Sequence, residues 1–422
     1  MEATTKALDL PQNHRETRSV ELYLVVLYAG LDWLFRQGGL AFMQGIWDEL
    51  LFIIIIGIWL LRTAVQQWAP RRSGMLLPFC LYISIMLFLV LINSPDDSVA
   101  LEGMRVMVQY VFWFFIAYHL LRSRQDAKGL VNVFLLLCLA IALVGVMQYI
   151  QGVEMPAAWV DKAEQGVKTR VFSIIGSPNV LGSLMILAIS VAYAMYYGSK
   201  HWLKQLIYAG VLLVCALCLL FTFSRGAWLA IILSALLLGL WVDKRVLIII
   251  LLMAVLTPSL MPAVYDRMAY MMSSDYIASS ERGGRLGRWE VAMNHWRGSP
   301  EFGVGLGQFG GAVAARHYPE DSFYADNWYL KVGTETGWVG LTATLLLLIT
   351  GLRRARSALD ATEDPYLKIM GLGILAGLVG ILAHNCVENI FEVPMMASYF
   401  WFFLGLVVAL PHLQSSPLND ME

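Results

Sequence analysis

The sequence predicts an all-α fold: a polytopic membrane helical bundle of about twelve transmembrane helices, with one large outer-face loop that contains short helices. Three observations carry that reading. Of 422 residues, 58% are hydrophobic and 14% charged, whereas soluble domains carry about 25% charged residues; mean hydropathy is +0.63. Runs such as 130–150, 206–221 and 246–260 are apolar and nearly free of charge, and a bilayer core asks for roughly 20 such residues per helix. Lysine and arginine, finally, concentrate in alternate loops. Backbone groups in lipid must satisfy one another, and these runs are too long and apolar for barrel strands, which leaves helices.

The apolar pattern places helices at 22–36, 46–61, 75–92, 106–121, 130–150, 180–197, 206–222, 228–241, 246–261, 337–352, 369–385 and 395–410. The first twenty residues are polar and lack an apolar h-region, so no cleavable signal peptide is expected and the first membrane helix serves for insertion. The chain reads as a single membrane domain over 1–422, with 262–336 as an extracytoplasmic loop within it. Five cysteines (Cys80, Cys138, Cys215, Cys218 and Cys386) lie in or beside apolar runs. The Cys215/Cys218 pair is CxxC-spaced, but mid-helix in VLLVCALCLL it reads as small-residue packing, not as a redox or zinc site.

Charge sets the expected orientation, because Lys and Arg accumulate in cytoplasmic loops. With the N-terminus inside, the inner tail and loops hold 17 of the 30 basic residues: Lys6, Arg15, Arg18, Arg62, Arg71, Arg72, Arg122, Arg124, Lys128, Lys200, Lys204, Lys244, Arg245, Arg353, Arg354, Arg356 and Lys368. The short outer loops hold six: Arg36, Arg105, Lys162, Lys168, Arg170 and Arg225. Both termini are therefore expected inside. Outside lie 151–179, the turn at Ser224-Arg225-Gly226 and the long segment 262–336, which is too long for the rule to govern. The net charge of −1 gives no reason to expect a nucleic-acid partner.

The candidate chemistry lies on that outer face. Within 283–300, Arg285, Arg288, Trp289, Ala292 and Trp296 recur at helical spacing. They suit either an interfacial helix that works on a ligand or one that only rests at the headgroups. GVGLGQFGG (303–311) lacks a preceding strand, so it reads as a turn permitting close backbone approach, not as a nucleotide loop. In DSFYADNWYLKVGTETGW (321–338), Asp326 and Glu335 are carboxylates that can accept a proton from a hydroxyl, and Asn327, Tyr329 and Lys331 add polar groups. Asp326 can equally cap a helix start. Arg225 interrupts an apolar stretch at a sharp turn, FTFSRGAWLA. It either snorkels to the interface or faces a phosphate or diphosphate, which its guanidinium fits bidentately. Asp32, His119, His384 and Glu388 read as satisfied bundle residues, and no spacing suggests a metal site.

Taken in order, RVFSIIGSPNVLGS (170–183), FSRGAWLA (223–230), GRLGRWEVAMNHWRGSPEFGVGLGQFG (284–310) and DNWYLKVGTETGWVGL (326–341) resemble the O-antigen ligase and polysaccharide polymerase superfamily, membrane glycosyltransferases of the GT-C type. The resemblance covers about 170–341. It implies a glycan donor linked to undecaprenyl diphosphate, entering from the outer leaflet of the bacterial cytoplasmic membrane. It also implies inverting transfer of the glycan to an acceptor hydroxyl, with no cofactor, nucleotide sugar or obligatory metal. Asn179, Arg225, Arg285 or Arg288, and Glu335 match the family's motifs. Asp326, Glu335 and Arg288 are thereby candidates for catalysis, and Arg225, Arg285, Asn179, Arg170, Asn327 and Tyr329 for substrate binding. Arginines would neutralise the charge developing on the diphosphate leaving group, while a carboxylate activates the hydroxyl on the opposite side.

In one respect the chain departs from the pattern. Family ligases acting on lipopolysaccharide usually carry His where this chain has Asp326, which favours a surface-polysaccharide polymerase. The alternatives are an O-antigen ligase transferring glycan to lipid-A core, or a protein glycan ligase. The resemblance further implies membrane lipids, a flippase and a chain-length regulator as partners. A secondary transporter of a small anion is the competing class. It calls for Gly/Pro-interrupted helices in matching halves and midplane charges, and the candidate arginines cluster outside instead.

Overall fold

The structure, a computed structural model, describes residues 19–37, 45–65, 71–154, 169–260, 262–281, 284–320 and 323–413. The two termini lie outside that set, with Lys6, Arg15 and Arg18, as do Lys162 and Lys168. The described residues form helices and no strands. In order these are α1 (Glu21–Val26), α2 (Tyr28–Gln37), α3 (Trp47–Val65), α4 (Leu76–Ile92), α5 (Asp97–Val108), α6 (Phe112–Leu120), α7 (Arg124–Gln151), α8 (Pro178–Gly198), α9 (Trp202–Phe221), α10 (Arg225–Trp241) and α11 (Arg245–Leu260). Then follow α12 (Pro262–Tyr270), α13 (Ser274–Glu281), α14 (Arg285–Gly298), α15 (Gly311–His317), α16 (Trp328–Asp360), α17 (Pro365–His384) and α18 (Pro394–Ala409).

Each helix expected from the apolar pattern coincides with one or two of these, and 262–336 contains the short helices expected there. Among the described residues, seven spans are long and apolar enough to cross a membrane, α5 and α6 counting as one, and α4 and α10 are shorter apolar helices. Large apolar side chains such as Ile53, Leu77, Leu91 and Leu213 face outward, which suits lipid as the solvent.

Local chemistry sets the helix starts. Asp96, Ser123, Ser177 and Asp364 each accept a backbone N–H from the first turn of α5, α7, α8 and α17, and Pro follows directly at the starts of α8 and α17. Gly152 ends α7 with φ 64°, a left-handed conformation that costs glycine nothing.

Lipid tails are as apolar as leucine, so helices associate in membranes by close packing of small residues. The centre of this bundle is built that way. A Cβ on Gly377 of α17 would lie 2.8 Å from Leu187 Cδ1 and 3.0 Å from Leu187 Cα of α8. One on Gly182 of α8 would lie 2.7 Å from Ala227 Cβ of α10. One on Gly226 of α10 would lie 2.9 Å from the ring of His384 at the end of α17. These contacts bring α8, α10 and α17 together, and α18, almost wholly buried, backs them.

Gly377→Val should therefore lower the thermal unfolding midpoint of the purified protein in detergent by several degrees, since overpacking costs about 1–3 kcal/mol. Gly210→Val is the control: a Cβ there meets nothing within 4 Å, and the midpoint should hold. Equal midpoints for the two variants would show that the α8–α17 contact is looser than described.

Candidate active site

At one end of the bundle, α8, α10, α14 and α16 all begin. Ser177 precedes α8, Arg225 and Arg285 are the first residues of α10 and α14, and Asp326 sits just before Asn327, the N-cap of α16. Together with Arg170, Arg267, Tyr276, Arg288 and Glu388 they line a polar cavity of about 330 Å³. Each helix N-terminus presents unpaired N–H groups and a partial positive charge. The turn between α9 and α10 is held by two of the arginines. Phe223 adopts φ 50°, Arg267 Nε donates to its carbonyl at 2.9 Å, and Arg170 Nε donates to Thr222 O at 3.0 Å. Cations thus meet the last carbonyls of α9, as a helix C-terminus favours.

A continuous polar chain crosses the cavity wall. Arg170 donates to Asn179 Oδ1 at 3.0 Å, and Asn179 Nδ2 donates to Glu388 Oε1 at 2.6 Å. Arg285 pairs with the same Glu388 oxygen, and its Nε lies 3.5 Å from Asp326 Oδ2. Arg288 closes the chain, 2.6 Å from that Asp326 oxygen, and it also donates to Gly284 O and Tyr324 O. The Arg225 guanidinium stacks 4.7 Å from the Tyr276 ring and 6.0 Å from the Tyr270 ring. Among the described residues, the lining holds five arginines and two carboxylates. Burial alone would lower the Arg285 pKa, but Glu388 and Asp326 outweigh it and hold it above its ordinary value. Burial pushes the Glu388 carboxyl upward, against the pull of Arg285, Arg170 and Asn179.

The cavity brings together six residues singled out in the sequence: Arg170, Asn179, Arg225, Arg285, Arg288 and Asp326. It adds Arg267, Tyr276 and Glu388, which sequence reasoning missed. Glu388 had been read as a satisfied bundle residue; it is a wall of the cavity, because α17 ends one turn earlier against the start of α10. Three expected site residues lie elsewhere. Asn327 caps α16, its Oδ1 accepting Leu330 N–H at 3.0 Å. The cap role weighed for Asp326 is therefore filled by its neighbour, and Asp326, at φ 48°, turns its carboxylate to the arginines. Tyr329 donates its hydroxyl to Leu382 O at 2.9 Å, tying α16 to α17.

Glu335 is 1% exposed and does not line the cavity. It belongs to a buried triad in which Lys331 Nζ lies 2.9 Å from Glu335 Oε2 and 2.9 Å from Glu392 Oε1. Phe309 N–H donates to Glu335 Oε1 at 3.2 Å, and Ala312 N–H to Glu392 Oε2 at 2.9 Å. The glycine-rich stretch 303–311 does make the expected close approach. Val304 and Gly305 N–H bond the carbonyls of Thr334 and Glu335, and Gly303, Gly305, Gly307, Gly310 and Gly311 all have positive φ. Among the described residues, no group of three or more His, Cys, Asp or Glu is placed to hold a metal ion.

Residues 209–345 match the family model described as O-Antigen ligase. The matched stretch runs from α9 into α16 and contains Arg225, Arg267, Arg285, Arg288 and Asp326; Arg170, Asn179 and Glu388 fall outside it. No curated protein matches the chain.

The Lys331 triad makes its own prediction. Removing that cation leaves two buried carboxylates facing each other, a change that costs about 3–5 kcal/mol. Lys331→Met should abolish or sharply lower the yield of folded protein recovered in detergent, measured by size-exclusion profile and thermal midpoint. The triple variant Lys331→Met with Glu335→Gln and Glu392→Gln should recover part of that loss. A folded, wild-type-like Lys331→Met would show that the triad carries no structural weight.

Proposed function

We propose that this member of the O-antigen ligase and polymerase superfamily transfers a glycan from undecaprenyl diphosphate to an acceptor hydroxyl at the outer face of the bacterial cytoplasmic membrane, acting as a surface-polysaccharide polymerase. The observation that carries the reading is the cavity. It gathers five arginines and, among them, a carboxylate with one oxygen unspent. Asp326 Oδ2 faces both arginines, Arg288 at 2.6 Å and Arg285 at 3.5 Å, while Oδ1 has no partner among the described residues.

The chemistry follows from that arrangement. The glycosyl diphosphate donor carries about two negative charges, and the released monoester about three near neutral pH. A lining rich in arginine therefore stabilises the more highly charged leaving group more than the substrate, and this differential is what lowers a barrier. Asp326 Oδ1 takes the proton of the acceptor hydroxyl. The hydroxyl oxygen bonds to the anomeric carbon as the carbon–oxygen bond to the diphosphate breaks, and that electron pair leaves with the phosphate. A single in-line displacement inverts the anomeric centre. Asp326 in the position of the family ligases' His supports a polymerase, and the concentration of Lys and Arg in the loops at the opposite end of the bundle supports an outward-facing site.

Two measurements test the reading, both made on transfer of a lipid-linked glycan by purified, folded protein. Arg225→Lys and Arg288→Lys keep the charge but lose the planar fork. Each should slow turnover about 100-fold, the usual effect of removing one preorganised donor from developing charge. Wild-type rates in both would take these two arginines out of the diphosphate site.

Asp326→Asn keeps the side-chain volume and an oxygen for Arg288 but cannot accept a proton. Transfer should fall roughly 100-fold or more while binding of undecaprenyl diphosphate persists. Activity within a few-fold of wild type would exclude Asp326 as the base.

A further inference from the structure

Glu388 stands in the link between α17 and α18, and that link is rigidly held. Trp328 N–H donates to the carbonyls of Asn385 and Glu388 at 2.9 and 3.2 Å. Asn327 N–H donates to Asn389 Oδ1 at 3.0 Å, and Phe391 N–H to Asn385 Oδ1 at 3.2 Å. The side chain is equally fixed at one of its oxygens. Oε1 receives Asn179 Nδ2 and Arg285. Oε2 has no partner among the described residues, yet the residue lines the cavity while being only 9% exposed.

An ionised carboxylate oxygen accepts hydrogen bonds and donates none. When a ligand fills the cavity and displaces water, Oε2 must receive a donor, or binding pays for leaving it unmet. Phosphoryl oxygens are acceptors and carry like charge. A polyprenyl tail has nothing to donate. The hydroxyls of a sugar do. Asp326 and Glu388 grip the same Arg285 guanidinium, so both face the region where diphosphate and sugar would join. Asp326 shares its side with Arg288, the more open of the two arginines, whereas Glu388 lies deeper, beside the start of α8. An acceptor arriving from solvent meets Asp326 first, and the sugar already attached to the bound diphosphate meets Glu388.

We infer that Glu388 is a substrate-contacting residue whose Oε2 accepts a hydrogen bond from a hydroxyl of the sugar joined to the diphosphate, so that it reads the donor's first sugar. The inference rests on the donor reading above and adds a determinant of sugar recognition to it.

The test uses the full chain in detergent and two probes, undecaprenyl diphosphate and the same lipid carrying one hexose, with equilibrium binding measured for each. Glu388→Gln keeps a carbonyl oxygen for Asn179 and Arg285 but presents an NH2 to the cavity. The lost negative charge acts on both lipids and cancels in the ratio of their dissociation constants. The variant should shift that ratio about tenfold toward the bare lipid, the scale of one charge-assisted hydrogen bond. An unchanged ratio overturns the inference. Wild-type protein gives a second measurement that needs no variant. Among hexosyl lipids each lacking one hydroxyl, at least one should bind about tenfold more weakly, and equal binding by all of them overturns the inference too. Failure of wild type to bind even the bare diphosphate lipid would sink the donor reading itself, an outcome distinct from an unchanged ratio.

Discussion

Like charges held together in a partly buried site repel one another, and this constraint governs the architecture around the cavity. Two cations about 6 Å apart in a medium of effective dielectric near 20 repel by roughly 3 kcal/mol, and five arginines share one lining here. Each has an answer in the fold. Arg170 and Arg267 are tied to carbonyls at the end of α9, Arg225 is stacked on Tyr276, and Arg285 and Arg288 are divided between Glu388 and Asp326. The carboxylates offset part of the charge without cancelling it. The arginines are thereby held in a setting of fixed geometry, where little reorganisation is needed.

That fixed geometry depends in turn on packing far from the charges. Arg225 stands at the first turn of α10 because Gly226 lets that turn lie on His384, and α10 lies against α8 because Gly182 meets Ala227. Ser183, one residue on, bonds His384 Nδ1 at 2.6 Å, so one polar contact locks the small-residue seam between α8 and α17 just beneath the cavity floor. The starts of α8 and α10 and the end of α17 are thus fixed relative to one another before any ligand arrives. The loop from α14 to α16 is pinned separately, by the glycine carbonyl contacts and the Lys331 triad.

How much of this was legible in the sequence follows from the range of each interaction. Helix positions were legible, because twenty-residue apolar runs leave little choice in lipid. The arginine cluster was legible too, since Arg225, Arg285 and Arg288 interrupt apolar or aromatic patterns where a charge is costly. Glu388 was not, because its partner Asn179 is 209 residues away and nothing local distinguishes it from a helix-end glutamate. Asp326 and Asn327 are both good caps, so only the register of α16 decides between them. The placement of Glu335 was not legible for a different reason. Its i,i+4 partner Lys331 is visible in the sequence, and that spacing on a helix is a recognised sign of pairing, but whether the pair faces a cavity or the interior depends on Glu392, on another helix junction.

Asp326, just before α16, and Glu335, within it, therefore mark a division of labour around one helix start. Asp326 lies before the first turn, in the field of four helix N-termini, with one oxygen unspent. Glu335 lies nine residues later, with both oxygens spent on Lys331 and the Phe309 N–H, and Gly337 breaks the helix two residues beyond it at φ 62°. The break lets the segment 328–336 run in a direction of its own from the rest of α16. A carboxylate reaches the cavity just before that short segment, at Asp326. At its other end the backbone of the 303–311 loop crosses within hydrogen-bonding distance and seals the side chain in. The glycines of that loop thus decide which of the two acids remains open to a ligand.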